Sequence, residues 1–192
     1  IDDVQARAST EAPLLGLRAL ADGVAERIEA GQLIGIARGR AEFGPRALGA
    51  RSILASPTSI AVRDRLNTHK GREAWRPLAP VVRETEERLF VNLRPSPAMI
   101  LTLRATPEGR RRIPGGIHAD GTARVQTVGR RDDALFGAVL DALDARGHVP
   151  AFLNTSLNRP GEPIVNTASQ ALVAARAMRL DALVLGDRLL SL

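Results

Sequence analysis

An α/β fold, with a twisted, mixed sheet flanked by helices, is what this sequence predicts. Two observations carry the expectation. Short apolar runs bounded by glycine, proline and small polar residues alternate with longer segments whose apolar residues recur at helical spacing. The 192 residues are also enough for one domain with a proper core and no covalent staples, and there is no cysteine to make one.

The elements follow in order. Residues 14–30, LLGLRALADGVAERIEA, place Leu17, Leu20, Val24 and Ile28 at helical spacing, and Gly31 stops the helix. LIGIA (33–37) reads as a short buried strand. Residues 59–67 read as a helix ending near Asn67. LAPVV (78–82) and AMILTL (98–103) read as strands, with a short helix from Glu84 to Phe90 between them. The segment 104–116, RATPEGRRRIPGG, reads as an exposed, mobile loop with a solvated arginine run. RVQTV (124–128) is a strand. Residues 132–146 form an amphipathic helix with Leu135, Val139, Leu140 and Leu143 inward. PAFLNTS (150–156) is a strand running into a polar turn, 168–179 a helix, and ALVLG (182–186) a last strand.

Composition narrows the function. No run of about 18 apolar residues exists to cross a bilayer. The first residues, IDDVQARASTEAP, lack the basic-then-apolar order of a signal peptide. A cytoplasmic protein is expected. The chain starts with Ile, so a piece of a longer polypeptide is expected, with 1–13 a linker from a preceding domain. The formal charge is +6, from 27 basic and 21 acidic residues. Lys70 is the one lysine among those 27, which hints at a position needing a compact ammonium. Four Phe, one Trp and no Tyr leave few platforms for stacking nucleobases, and Trp75 reads as a core or pocket-wall residue. Anionic small molecules suit the charge better than nucleic acid.

Four stretches concentrate cations and turn residues. In EFGPRALGARS (42–52) a proline and two glycines make a rigid loop after the first strand, carrying Arg46 and Arg51. Guanidinium forks there suit phosphate or carboxylate; the competing reading is a structural ion pair, for instance with Glu42. In LNTHKGREAWRPLAP, Lys70, Arg72 and Arg76 repel one another unless solvated or bridged by an anion. In IHADGTARVQTV, His118 and Asp120 are two ligand types, too few for a metal site, and Asp120 is placed to orient Arg124 or a ligand hydroxyl. In LNTSLNRPGEPIV, Asn154, Ser156 and Asn158 end a strand in a turn that can hold phosphate oxygens or merely satisfy its own backbone. There is no Walker A loop, no dinucleotide fingerprint and no serine elbow.

Taken in register, GRAEFGPRALGARSILASP, LNTHKGREAWRPLAPVV, HADGTARVQTV and NTSLNRPGEPIV resemble the C-terminal domain of the NodU-type O-carbamoyltransferases, from about residue 14 to the end. Ala41, Ala119, Leu78 and Leu157 depart from that pattern without removing a charged or hydrogen-bonding group. The resemblance implies a single domain with a YrdC-like fold. It implies a domain that makes carbamoyl-adenylate from carbamoyl phosphate and ATP, with Mg²⁺ carried on the nucleotide. A larger N-terminal ASKHA-type domain would then pass the carbamoyl group to a hydroxyl of a small-molecule acceptor. It assigns Arg46, Lys70, Arg76 and Arg124 to catalysis by charge. Arg51, Arg72, His118, Asp120, Asn154, Ser156 and Asn158 are substrate-binding candidates, and no resident metal is implied. Two rival expectations remain: a threonylcarbamoyl-AMP synthase-like enzyme, or a basic RNA-binding module without catalysis.

Overall fold

The computed structural model describes residues 12–192. The linker expected over 1–13 lies almost wholly outside the described residues. Ala12 itself packs into the core, and its carbonyl accepts from Arg188.

Eight strands form one sheet: β1 (Ile34–Ala37), β2 (Arg51–Ala55), β3 (Ala79–Arg83), β4 (Leu101–Arg104), β5 (Thr122–Val128), β6 (Ala151–Ser156), β7 (Ala182–Leu185) and β8 (Arg188–Ser191). Their spatial order is β4-β5-β3-β6-β2-β1-β7-β8. The β3–β5 and β1–β7 pairs are parallel and the others antiparallel, so the sheet is mixed as expected. Among the described residues five α-helices accompany it: α1 (Leu17–Glu29), α2 (Ile60–His69), α3 (Pro107–Arg112), α4 (Ala134–Ala145) and α5 (Ala168–Ala177).

The apolar strands are covered on both faces, and the two-residue period divides their side chains. Ile34, Ile36, Leu54, Phe152, Ala182 and Val184 meet α1 and α4 on one face. Ile53, Leu153, Leu183 and Leu185 meet α5 and Leu66 of α2 on the other. Phe136 of α4 packs edge-on against Phe152 with centroids 4.9 Å apart. Leu20, Val24 and Ile28 are buried in α1, whereas Leu17 stays 44% exposed at its first turn.

Several sequence expectations change. Residues 84–90 form successive turns, closed by Glu86 N–H to Arg83 and Leu89 N–H to Glu86, and Phe90 bridges Ala105. Segment 104–116 is an ordered, packed corner. Thr106 caps α3 by accepting from Gly109 N–H, Pro107 opens the helix, and Ile113 is fully buried. Gly109 lies so close to the Leu89 carbonyl that a Cβ there would sit 2.2 Å from its oxygen. Strands β2 and β8 were not expected. β2 begins inside the motif that reads as a loop, which places Arg51 and Ser52 in the sheet. Trp75 is 73% exposed and belongs to no core cluster.

The topology collects one end of the sheet into a site. Strand β6 ends there at Ser156, opposite Ser52 at the start of β2. Strand β3 also starts there, with Ala79 opposite Asn154, and β5 runs parallel to β3.

Candidate functional site

The loop between β1 and β2 is folded from within by Glu42. Its Oε1 accepts the backbone N–H groups of Leu48, Gly49, Ala50 and Arg51 at 2.7, 2.9, 2.7 and 3.0 Å. Four amides converging on one carboxylate oxygen make an anion nest whose anion is the protein's own. Gly49 has φ +136°, and a Cβ there would lie 2.7 Å from Asp133 Oδ2, so the close turn requires glycine. Two carbonyls of the loop are held from the sheet: Leu48 O accepts from Gln126 Nε2 and Ala47 O from Asn154 Nδ2, both at 3.1 Å. Arg46 sits on this braced loop, and among the described residues its buried Nε has no partner.

Arg51 has a different task from the one expected. It is only 7% exposed. Its Nη1 donates to Arg38 O and Ala50 O, and its Nη2 to Gly39 O and Asn166 O, at 2.8–3.1 Å. Both terminal nitrogens are spent on backbone, leaving no fork for a ligand. Burial lowers its pKa, with Glu42 opposing. In place of the competing reading, an ion pair of Glu42 with this loop's arginines, the carboxylate holds the nest.

The second loop leaves α2. Asn67, fully buried, donates from Nδ2 to Ala74 O and Arg76 O at 2.9 Å and accepts from Arg72 Nε at 2.7 Å. It braces the segment carrying the three cations. Lys70, 6% exposed, donates to Ser156 O (2.5 Å), Asn158 O (3.0 Å) and Asn158 Oδ1 (3.1 Å). Ser156 Oγ donates to the same Asn158 Oδ1 at 2.6 Å. The retained lysine thus ties the end of β6 to the end of α2. Burial, then Arg72, pushes Lys70 down to about 7. Arg72 leaves Nη2 buried without a partner among the described residues. Arg76 pairs with Glu73 at 2.9 Å and lies 5.7 Å over the Trp75 ring.

These elements enclose two adjoining lobes that share Arg72 and Ser156. The larger, about 640 Å³, is lined by Lys70, Arg72, Arg76, Ser156, Asn158 and Arg159. The smaller, about 250 Å³, is lined by Arg46, Arg72, Arg124, Asn154, Thr155 and Ser156. The cations press on one another. Arg72 is pushed down to about 10 by burial, then by Arg76 and Arg124. Arg124 is lowered by loss of water around it and then by Arg46. Guanidiniums crowded this way, with donors left unpaired, suit a polyanion. A larger cleft, about 850 Å³, lies elsewhere; Glu84, Glu86, Asp132, Asp133, Asp141 and Asp144 outnumber Arg83 and Arg130 in its lining, which disfavours anions.

His118 and Asp120 are not brought into either lobe. They line a neighbouring groove with Trp75, Ile60 and Ile117. Asp120 Oδ1 accepts from Thr122 N–H (2.9 Å) and Oγ1 (2.7 Å), which lowers its pKa; it caps a turn and does not orient Arg124. His118 Nδ1 lies 3.1 Å from Thr122 Oγ1, and burial lowers its pKa. Among the described residues no group of three or more His, Cys, Asp or Glu side chains converges to hold a metal, and no helix is long and apolar enough to cross a membrane.

Sequence reasoning does not single out Asn67 or Gln126, and it gives Glu42 only an ion pair. Gln126 alone leaves a faint signal, an amide beside Thr127 in the buried half of β5.

Residues 25–191 match the family described as Carbamoyltransferase C-terminus. The nodulation protein NolNO of Sinorhizobium fredii is 42% identical over 177 residues, 89% of this chain and 26% of that protein. The 3'-hydroxymethylcephem-O-carbamoyltransferase of Amycolatopsis lactamdurans is 36% identical over 168 residues, 86% of this chain and 32% of that protein. This chain therefore spans about a quarter to a third of the length of these relatives. Among solved structures, full-length HypF in its phosphate- and nucleotide-bound form aligns with a TM-score of 0.63 at 18% identity, over 88% of this chain and 25% of that one. Pyrococcus abyssi Sua5 with L-threonine aligns at 0.59 and 16%, over 89% and 48%. At such identities these two likenesses speak for the fold. The family match spans most of the chain and the relatives agree with it: the chain belongs to the carbamoyltransferase family, as its C-terminal domain.

Proposed function

We propose that this domain forms carbamoyl-adenylate from carbamoyl phosphate and ATP, for transfer to a hydroxyl of a small-molecule acceptor by the larger N-terminal part that its relatives possess. The observation that carries the reading is the pair of joined lobes, with Arg72 between them and Arg46, Arg124, Lys70 and Arg76 around them. Two polyanions must sit side by side in this reaction, and their repulsion is prohibitive without intervening cations.

The smaller lobe, bounded by Arg46 and Arg124, fits the acyl phosphate. The larger, with Lys70 and Arg76, fits the nucleotide triphosphate. Water cleaves carbamoyl phosphate to phosphate and carbamate. The carbamate oxygen then attacks the α-phosphorus of ATP, the α–β bridging oxygen leaves with pyrophosphate, and carbamoyl-AMP remains. The chain's residues contribute position and charge, not a nucleophile. Arg72 spans both ligands, Asn67 holds Arg72, and Lys70 fixes the turn at Ser156. Mg²⁺ would enter as part of the nucleotide, since Glu73, the carboxylate lining the larger lobe, is paired with Arg76.

Pyrophosphate release from Mg-ATP is the test, measured with and without carbamoyl phosphate, for this chain and an Arg46→Ala variant. Release that needs carbamoyl phosphate and falls by at least about a hundredfold in the variant is expected, the scale of losing one charge-stabilising donor. Release that needs threonine and bicarbonate instead would replace this reading with a threonylcarbamoyl-AMP synthase-like one.

A further inference from the structure

The turn that borders the larger lobe is saturated from within. An asparagine side chain can accept twice at Oδ1 and donate twice from Nδ2, and Asn158 uses all four capacities inside the protein. Its Oδ1 accepts from Lys70 Nζ at 3.1 Å and from Ser156 Oγ at 2.6 Å. Its Nδ2 donates to Glu162 O at 2.9 Å and to Arg159 O at 3.3 Å. The amide can face only this way, because carbonyls accept and an ammonium donates. Lys70 is equally occupied. An ammonium has three protons, and here they meet Ser156 O, Asn158 O and the same Asn158 Oδ1. Lys70, Ser156 and Asn158 all line the lobe, yet neither the lysine nor the serine hydroxyl has a proton free for a ligand.

The facing cations differ. Arg72 keeps Nη2 without a partner among the described residues, and Arg76 uses its Nε on Glu73. An anion can therefore be met by the guanidiniums at once, and by Lys70 and Ser156 only through exchange. What can leave is the amide. Lys70 remains tied to two backbone carbonyls, whereas Asn158 is anchored only to the main chain of an exposed turn. That turn is held by the Arg159–Glu162 pair at 2.9 Å, a surface contact of modest strength.

We infer that Asn158 is a latch on the larger lobe: its Oδ1 holds one proton of Lys70 and the hydroxyl proton of Ser156, and an oxygen of a phosphate chain displaces it. This rests on the reading of the larger lobe as a polyphosphate site. It reassigns Asn158 from a side chain that binds substrate to one that substrate moves aside. A neutral amide oxygen is a weaker acceptor for an ammonium than a phosphate oxygen, so the exchange runs toward the anion.

The two roles predict opposite signs, and pyrophosphate titrated calorimetrically separates them. The titration is run at about pH 6, below the value of about 7 to which Lys70 is lowered, so that its ammonium carries three protons. Asn158→Ala is expected to bind pyrophosphate about three- to tenfold tighter than the unaltered chain, because two donors no longer have to be released. The gain should vanish when Asn158→Ala is made in a Lys70→Met background, since the freed ammonium proton is its main source. Each variant is checked for native circular dichroism. Asn158→Leu, which keeps the bulk and removes both polar ends, replaces the alanine variant if that one does not fold, and the same gain is expected of it. Weaker or equal binding in the folded variant overturns the latch and leaves the lobe as an anion site. A gain that persists without Lys70 overturns it as well, because it would come from a loosened turn. Failure of the unaltered chain to bind pyrophosphate overturns the polyphosphate reading, and this inference with it.

Discussion

Replacing Glu42 by alanine removes the acceptor on which four backbone amides converge. The loss is calculable. Hydrogen bonds to a charged group contribute about 1.5–3 kcal/mol each when nothing replaces them. The loop is only partly buried, so water recovers much of that, and we expect a net loss of about 2–4 kcal/mol. In a chain of this size that lowers the melting temperature by on the order of 5–10 °C. The loop carries Arg46, so phosphate affinity should fall by about tenfold or more, since positioning losses reach that size. Glu42→Gln keeps an oxygen acceptor without its charge and should lose about half as much stability. Differential scanning calorimetry and phosphate titration read both effects. A Glu42→Ala protein that melts within about 1 °C of the original and binds phosphate equally well would refute the idea that the nest organises the site.

Other expectations follow from single residues. Lys70 sits near 7 in the folded protein against 10.5 ordinarily, so between those values the unfolded chain holds a proton that the native chain lacks. Stability should rise as pH climbs through that window and be lowest below it, and a bound dianion should restore the proton. Sulfate, titrated at about pH 8 in buffers of differing ionisation enthalpy, should bind with uptake of up to about one proton, lost in Lys70→Met; no uptake would contradict the placement. Arg51→Met should cost about 2–4 kcal/mol by orphaning four carbonyls, read by urea unfolding, in the absence of any ligand as well as in its presence. Gly109→Ala should destabilise by at least about 1–3 kcal/mol because its Cβ meets the Leu89 carbonyl; equal melting would show that the corner can open.

The fold was legible in the sequence where burial on both faces wrote continuous apolar runs. The runs at 33–37, 150–156 and 182–186 became β1, β6 and β7 for that reason. β2 was hidden because Arg51 and Ser52 sit at its start, and an arginine rarely lies in a central strand unless its charge is consumed, as here by four carbonyls. β8 was hidden because it is an edge strand with a half-exposed pattern. The corner at 107–116 looked mobile since its three arginines face outward, while what orders it is small: a Thr106 cap, a proline and glycines against backbone.

Of the site, cation-rich stretches announced themselves through charge density in turn-forming sequence, and Arg46, Arg72, Arg76, Arg124 and Lys70 do converge. Division of labour was not legible. Whether a guanidinium faces a ligand or a carbonyl depends on how loops fold back, which separates Arg46 from Arg51 five residues on. His118 and Asp120 carried catalytic residue types, yet their spacing builds a local turn. Asn67 acts by pinning the main chain of its own loop, which no turn motif announces, and Gln126 by bracing a distant carbonyl and amide, a contact with no short-range pattern.

The central claim is that this domain joins the carbamoyl group to AMP, and exchange of labelled pyrophosphate into ATP tests it most directly. The exchange reads reversal of the adenylate-forming step, so it does not require the acceptor or the larger part of the relatives. With Mg²⁺, ATP and carbamoyl phosphate, label should enter ATP, and it should not enter when carbamoyl phosphate is left out or when Arg46 is alanine. A folded protein that binds ATP and carbamoyl phosphate yet exchanges no label would contradict the account.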